Sequence, residues 1–318
     1  MTRVAALDCG TNSLRLLIAD VDPQAGTLVD LDRRTEIVRL GQGVDRTGRF
    51  DPEAVERTVA VARFYAALIA EAGAERLRFV ATSATRDAAN RDEFAAGIHA
   101  VLGVEPQVAS GAQEAALSFA GATRDLLRHP RDADGDPQPP FCVVDLGGGS
   151  TEIVLGASAP TAALSVDVGC VRITERHLHS DPPTAAEVAA ATATVDEALD
   201  RVAAAVPLAT ARTLVGLAGS VTTVTAHALR LPAYDSARTH GAVLPVDDVL
   251  AACTELLEMD RAERAALPYM HPGRVDVIGA GALVWRRVVE RLRDEAGIET
   301  VRTSEHDILD GIAWSLAE

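Results

Sequence analysis

The stretch FCVVDLGGGSTEIVLG, residues 141–156, decides the fold. It reads as strand, turn, strand: an apolar run leads up to Asp145, Gly147–Ser150 reverse the chain, and a second apolar run follows Glu152. Three consecutive glycines let backbone N–H groups approach an anion with no side chain in the way. Asp145, at the end of its apolar run, suits a cation that neutralises phosphate charge. A ligand-free glycine hairpin is the bland alternative, and the acidic residues on both sides weigh against it. The pattern occurs twice. In VAALDCGTNSLRLLIA, residues 4–19, Asp8, Gly10 and Ser13 stand 137 residues before Asp145, Gly147 and Ser150, again between two apolar strands. Alone, DCGTNS is an Asx turn. As a copy, it becomes a second metal or phosphate contact through Asp8, Asn12 and Ser13.

Outward from these turns the chain alternates strands and helices. Strands are expected at Val4–Leu7, Leu14–Val21, Thr35–Leu40 and in RLRFVAT and EPQVA. Asp51-Pro52-Glu53 opens a long amphipathic helix to about Ala72, with Asp as N-cap and Pro in the first helical position. Further helices are expected near Arg91–Leu102 and from Gly111. HPRDADGDPQPP, residues 129–140, reads as a linker or exposed loop. It separates a domain of residues 1–128 from one of residues 141–318, whose last helix is free to pack back on the first. In the second domain a helix follows Pro183, and TLVGLAG runs as a strand into helix SVTTVTAHALR. A helix over Val275–Ala296, a strand in IETVRT and a closing helix from about Glu305 complete it.

Three more places carry chemistry. At Gly219-Ser220 a strand passes into a helix, whose free N–H groups and positive dipole end suit phosphate; a helix capped by Ser220 is the alternative. Arg86, at another strand-to-helix passage, has the planar fork that binds phosphate oxygens bidentately. Glu114 lies in the first turn of a helix with Ser110 as N-cap. There it is either a dipole-favoured glutamate or a general base for water attacking phosphorus. His177 and His179, spaced i, i+2 on a polar segment, are read as solvent-facing rather than metal-binding.

Composition narrows the chemistry. The 318 residues carry 46 acidic and 30 basic side chains, a net charge of −16. Every basic residue is arginine, so Schiff-base, P-loop and kinase-type lysine mechanisms are excluded. The acidic balance argues against nonspecific duplex binding. No apolar run is long enough to span a membrane and no signal-peptide core is present, so a cytoplasmic protein without membrane partners is expected. Cys9, Cys142, Cys170 and Cys253 form no C-x-x-C pair and read as buried thiols.

In order, DCGTNS, ATSATRDAAN, SGAQEA, DLGGGSTE, GLAGSVTTV and RVDVIGAGAL resemble the motifs of the exopolyphosphatase and guanosine pentaphosphate phosphatase family, and SEHDILDGIAWSLA resembles its closing helix. The resemblance implies an α/β fold of two ribonuclease-H-like domains around a central cleft, as in actin, sugar kinases and Hsp70. It implies hydrolysis of a terminal phosphate with a divalent cation, Mg²⁺ or alternatively Mn²⁺. It assigns Glu114 as catalytic base and Arg86 as phosphate-contacting arginine. Asp145 and Glu152 become metal-holding or water-positioning, with Asp8 as a second metal ligand. Gly147, Gly148, Gly149 and Ser150 form the phosphate loop, joined by Asn12, Ser13, Gly219 and Ser220. The expected substrate is inorganic polyphosphate, with a bias to short chains because the longer members' extra C-terminal domain is not matched. Guanosine pentaphosphate, a stringent-response nucleotide, is the alternative. An ATP-dependent small-molecule kinase and a catalytically silent sensor are more distant readings, and a homodimer is expected from relatives.

Overall fold

The computed structural model describes residues 1–128 and 137–317. Most of the expected linker, residues 129–136, therefore lies outside the described residues. The chain divides into two compact units, residues 1–121 with 308–318, and residues 122–307.

The first unit is built on a sheet of β1 (Thr2–Cys9), β2 (Ser13–Asp22), β3 (Thr27–Ile37), β4 (Arg76–Ala81) and β5 (Gln107–Val108), in the order β3-β2-β1-β4-β5. The β1–β2 and β2–β3 pairs are antiparallel, while β1–β4 and β4–β5 are parallel. The second unit carries β6 (Phe141–Leu146), β7 (Thr151–Gly156), β8 (Pro160–Val166), β9 (Thr213–Leu217), β10 (Val243–Pro245) and β11 (Thr300–Thr303), in the order β10-β11-β9-β6-β7-β8. Stripped of the edge strand β10, this is the same order with the same senses. Each unit thus has the ribonuclease-H-like arrangement, and the chain contains it twice.

The duplication holds in register. Asp8 faces Arg15 on β2 and lies beside Val80 on β4. Asp145 faces Glu152 on β7 and lies beside Leu217 on β9, each position shifted by the same 137 residues. The Gly10 N–H donates to the Ser13 carbonyl at 2.9 Å, and Gly147 repeats this with Ser150 at 3.0 Å.

Local sequence explains most elements. The Asp51 side chain accepts from the Glu53 amide and opens helix Pro52–Ala72, which Gly73 closes at φ 66°. Helix Arg91–Leu102 ends on Gly103 in the same way. Thr184 and Glu187 form a capping box for helix Ala185–Ala205. Differences from expectation also have causes. The third strand is Thr27–Ile37, not Thr35–Leu40, because its charged residues belong to an exposed sheet edge rather than a loop. A bulge at Leu31 interrupts that edge strand's register. The helix expected from Val275 begins at Ile278, after a 3₁₀ turn at Pro272–Arg274, and the closing helix runs Ile308–Ala317.

That closing helix belongs to the first unit. Leu309, Ile312, Ala313 and Trp314 pack with Val4, Ala6, Leu17, Ala19, Val21 and Val80. Gly311 permits the approach: a Cβ there would stand 2.0 Å from the Leu117 carbonyl oxygen. Arg33 on β3 binds Asp310 at 2.6 Å. Among the described residues, no helix is long and apolar enough to cross a membrane.

Candidate active site

Tight turns between the first two strands of each unit carry the expected phosphate loops, and their carbonyls explain their shape. In the second unit, the Gly147 carbonyl accepts from the Cys170 amide at 3.0 Å. Gly148 accepts from the amides of Val171 at 2.8 Å and Arg172 at 3.1 Å. Gly149 accepts from Arg172 Nε at 2.8 Å. All these donors belong to the first turn of helix Cys170–His177. In a trans peptide, the C=O of one residue and the N–H of the next point in opposite directions. The amides of Gly148, Gly149 and Ser150 therefore point away from those donors, and successive N–H groups arranged so can meet an anion.

The first unit repeats the device. The Thr11 carbonyl accepts from the Gly41 amide at 2.8 Å, and Asn12 accepts from the amides of Val38 and Arg39 at 3.0 and 2.9 Å. Thr11 Oγ1 also shares a 3.1 Å hydrogen bond with Ser83 Oγ. Each loop is braced by a glycine that sequence reasoning did not single out. A Cβ at Gly169 would lie 2.4 Å from the Gly148 oxygen, and one at Gly41 would lie 2.4 Å from Thr11 Cγ2.

Acidic residues flank these loops. Asp8 and Asp145, at corresponding places near the ends of β1 and β6, are buried. Asp8 has Arg15 at 3.7 Å. Glu152, also buried, accepts through Oε1 from Ser150 Oγ at 2.9 Å and Ser165 Oγ at 2.6 Å. It therefore ties the phosphate loop to β8. Carboxylate oxygens are the donors that Mg²⁺ prefers, and Mg²⁺ is usually held by one or two carboxylates with water and substrate phosphate filling its shell. Among the described residues there is no cluster of three or more acidic, histidine or cysteine side chains that could hold a metal. His177 instead shares a hydrogen bond with Thr194, Nε2 to Oγ1, at 2.9 Å.

Glu114 and Arg86 come together in the first unit. Ser110 caps helix Gly111–Arg128: Gln113 Oε1 accepts from the Ser110 amide at 2.9 Å, and the Gln113 amide returns to Ser110 Oγ at 3.3 Å. Glu114 is buried in the next position and forms an ion pair with Arg86 Nη1. The same nitrogen donates to the Ala109 carbonyl at 2.7 Å. One carboxylate is thus fixed beside one guanidinium.

The strand-to-helix passage at Gly219-Ser220 is built differently from expectation. The helix runs Ala218–Ala228 and Leu217 occupies the N-cap position, so Ser220 lies inside the first turn rather than capping it. Ser220 is buried, and a Cβ at Gly281 would lie 2.3 Å from its hydroxyl oxygen. Ala218 has φ 68°, a left-handed conformation that costs a side-chain-bearing residue free energy and recurs at functional turns. Arg274 packs over this turn: a Cβ at Gly219 would meet its guanidinium carbon at 2.6 Å, and its Nη1 lies 3.3 Å from Thr223 Oγ1. Arg274 opens the motif RVDVIGAGAL, which was its only signal in the sequence.

All four cysteines are buried and free. Burial, then the neighbouring Asp8 carboxylate, push the Cys9 thiol well up, and burial raises Cys170.

Two ribonuclease-H-like units, each with an amide-lined turn and a carboxylate at the end of its first strand, define a phosphate-handling class of protein. Within that class the chain belongs to the Ppx/GppA phosphatase family, whose profile matches residues 17–316. It is 54% identical to Exopolyphosphatase 2 of Mycobacterium tuberculosis over 100% of this chain and 99% of that protein. Among solved structures, an exopolyphosphatase-like protein shares 45% identity at a TM-score of 0.93, covering 99% of this chain and 97% of that one. The Aquifex aeolicus PPX-GPPA enzyme shares 30% identity at a TM-score of 0.80, covering 99% of each chain.

Proposed function

We propose that this phosphatase is an exopolyphosphatase, a Mg²⁺-dependent enzyme that removes the terminal phosphate of inorganic polyphosphate. One observation supports the chemistry: the carbonyls of Gly147, Gly148 and Gly149 are all tied back, which leaves the three following amides pointing the opposite way, as an anion site requires. The choice of substrate is supported by the full-length likeness to a protein named Exopolyphosphatase 2.

In this reading the amides of Gly148, Gly149 and Ser150 hold phosphate oxygens, Gly219 and Ser220 offer further contacts in the same unit, and Asn12 and Ser13 are the first unit's own phosphate contacts. Glu114 takes the proton from water attacking phosphorus. Arg86 holds one of its carboxylate oxygens, which fixes the side chain, and its positive charge offsets charge developing on the transferring phosphoryl group. Glu152, with Oε1 occupied by two hydroxyls, keeps the loop in place and helps position water. Asp8 in the first unit and Asp145 in the second are each carboxylates that would hold Mg²⁺, which when bound neutralises phosphate charge. The buried thiols suit the reducing cytoplasm, and a homodimer completes the proposal; sedimentation velocity tests the latter.

Glu114→Gln preserves shape and removes the base. Turnover should fall by about 10²–10⁴-fold while polyphosphate binding persists. Near-normal turnover would remove Glu114 from this role. Phosphate release from short polyphosphate, long polyphosphate, guanosine pentaphosphate and ATP, with and without Mg²⁺, tests the substrate. Release confined to guanosine pentaphosphate would replace polyphosphate, and release from none would overturn the enzymatic reading.

A further inference from the structure

The two phosphate loops are held from behind in different ways. In the first unit the donors to the Thr11 and Asn12 carbonyls are main-chain amides of Val38, Arg39 and Gly41. In the second unit main-chain amides hold the Gly147 and Gly148 carbonyls, but the Gly149 carbonyl receives Arg172 Nε at 2.8 Å. Among these five tied-back carbonyls, Gly149 is the one whose tie is a side chain. It also belongs to a glycine, so the Gly149–Ser150 peptide has little steric resistance to rotation. Rotation would carry the Ser150 amide out of the anion-facing row.

We infer that Arg172 is a positioning residue for phosphate binding: its Nε–H locks the Gly149–Ser150 peptide so that the Ser150 amide faces the anion. This inference rests on the phosphate-binding reading of the loop. Arginine suits the task because Nε–H is a directed donor partway along the side chain, held rigid by the guanidinium plane. Lysine has the charge but carries its donors at the tip of a flexible stem. Charge alone therefore does not replace Arg172.

The test compares wild type with Arg172→Lys and Arg172→Ala, using inorganic pyrophosphate as the probe. Binding is read by calorimetry and by the ¹⁵N–¹H resonance of the Ser150 amide, with thermal melts to establish folding. The Ser150 resonance should shift on pyrophosphate addition to wild type. Arg172→Lys should melt near the wild-type temperature, lose about tenfold in affinity and show a diminished Ser150 shift. Millimolar guanidinium, but not ammonium, should restore much of the affinity of Arg172→Ala. Wild-type affinity in Arg172→Lys, or a wild-type Ser150 resonance unmoved by bound pyrophosphate, would overturn the inference. If Arg172→Ala does not fold, the lysine variant and the wild-type resonance still decide. Because pyrophosphate binding needs no turnover, a wild type that binds through Ser150 yet releases no phosphate from polyphosphate would sink the proposed activity while leaving this inference intact.

Discussion

At the scale of single residues, the candidate site depends on side chains that are absent as much as on those present. Gly169 has an ordinary φ and is there for space, since a Cβ would collide with the peptide joining Gly148 to Gly149. Gly169→Ala must push the loop forward or the helix start backward. Overpacking of this kind costs about 1–3 kcal/mol. Urea denaturation should show that loss, and phosphate affinity should fall with it because the displaced peptides carry the amides proposed to face the anion. An unchanged midpoint and affinity would mean that the helix moves without strain. Residues with their own chemical signature were legible in the sequence: Gly147–Ser150 and Asp145 stand out by composition, and Asp8 stands out because its turn repeats theirs. Gly41, Gly169 and Arg172 were not. Each matters through what it touches across the fold, and a lone glycine or arginine carries no mark of its neighbour.

Elements were legible where their ends are chemically punctuated. Asp51-Pro52 and Gly73 delimit one helix as the capping rules require, and Ser110 with Gln113 opens another. The third strand was misjudged because an exposed edge is rich in charge, while the apolar Val38 and Leu40 that suggested a strand belong to the segment gripping the first loop. The helix Ala185–Ala205 offers a test at this scale. Thr184→Ala removes one half of its capping box and should cost about 1 kcal/mol in denaturant unfolding. The other half makes the effect depend on pH. Glu187 accepts from the Thr184, His179 and Ser180 amides, and backbone and hydroxyl donors at Thr184 lead in holding its carboxyl down to about 2 against an ordinary 4.5. A depressed carboxyl stabilises the fold above its unfolded value. The stability difference between wild type and Glu187→Gln should therefore be full above pH 4.5 and vanish as pH falls toward about 2. A difference independent of pH would show that the carboxylate's charge is not what the amides hold.

At the scale of the whole molecule, the repeat of Asp8, Gly10 and Ser13 at Asp145, Gly147 and Ser150 proved to be the trace of a duplicated sheet, with register kept across three strands in each copy. Beyond those strands the sequence showed little of it, because the copies differ in helices and loops that a sheet of this order does not constrain. The units also differ in continuity: residues 122–307 make one unit in a single run, while the other needs its closing helix. A chain ended after Asp307 should keep a protease-resistant core from the second unit and lose the first to digestion. The helix it lacks covers the face formed by Val4, Ala6, Leu17, Ala19, Val21 and Val80. Equal resistance of both parts would show that this face tolerates water.

That discontinuity has a consequence for how the protein is born. The ribosome delivers the first unit's sheet early, yet the segment that seals it emerges only after the whole of the second unit. At ~5–20 residues per second, translation leaves that apolar face waiting for roughly ten to forty seconds while the second unit is synthesised and folds. The nascent chain passes through a window in which its oldest part is its least finished. In that interval the strip of valine, leucine and alanine that the closing helix covers has no cover from its own chain.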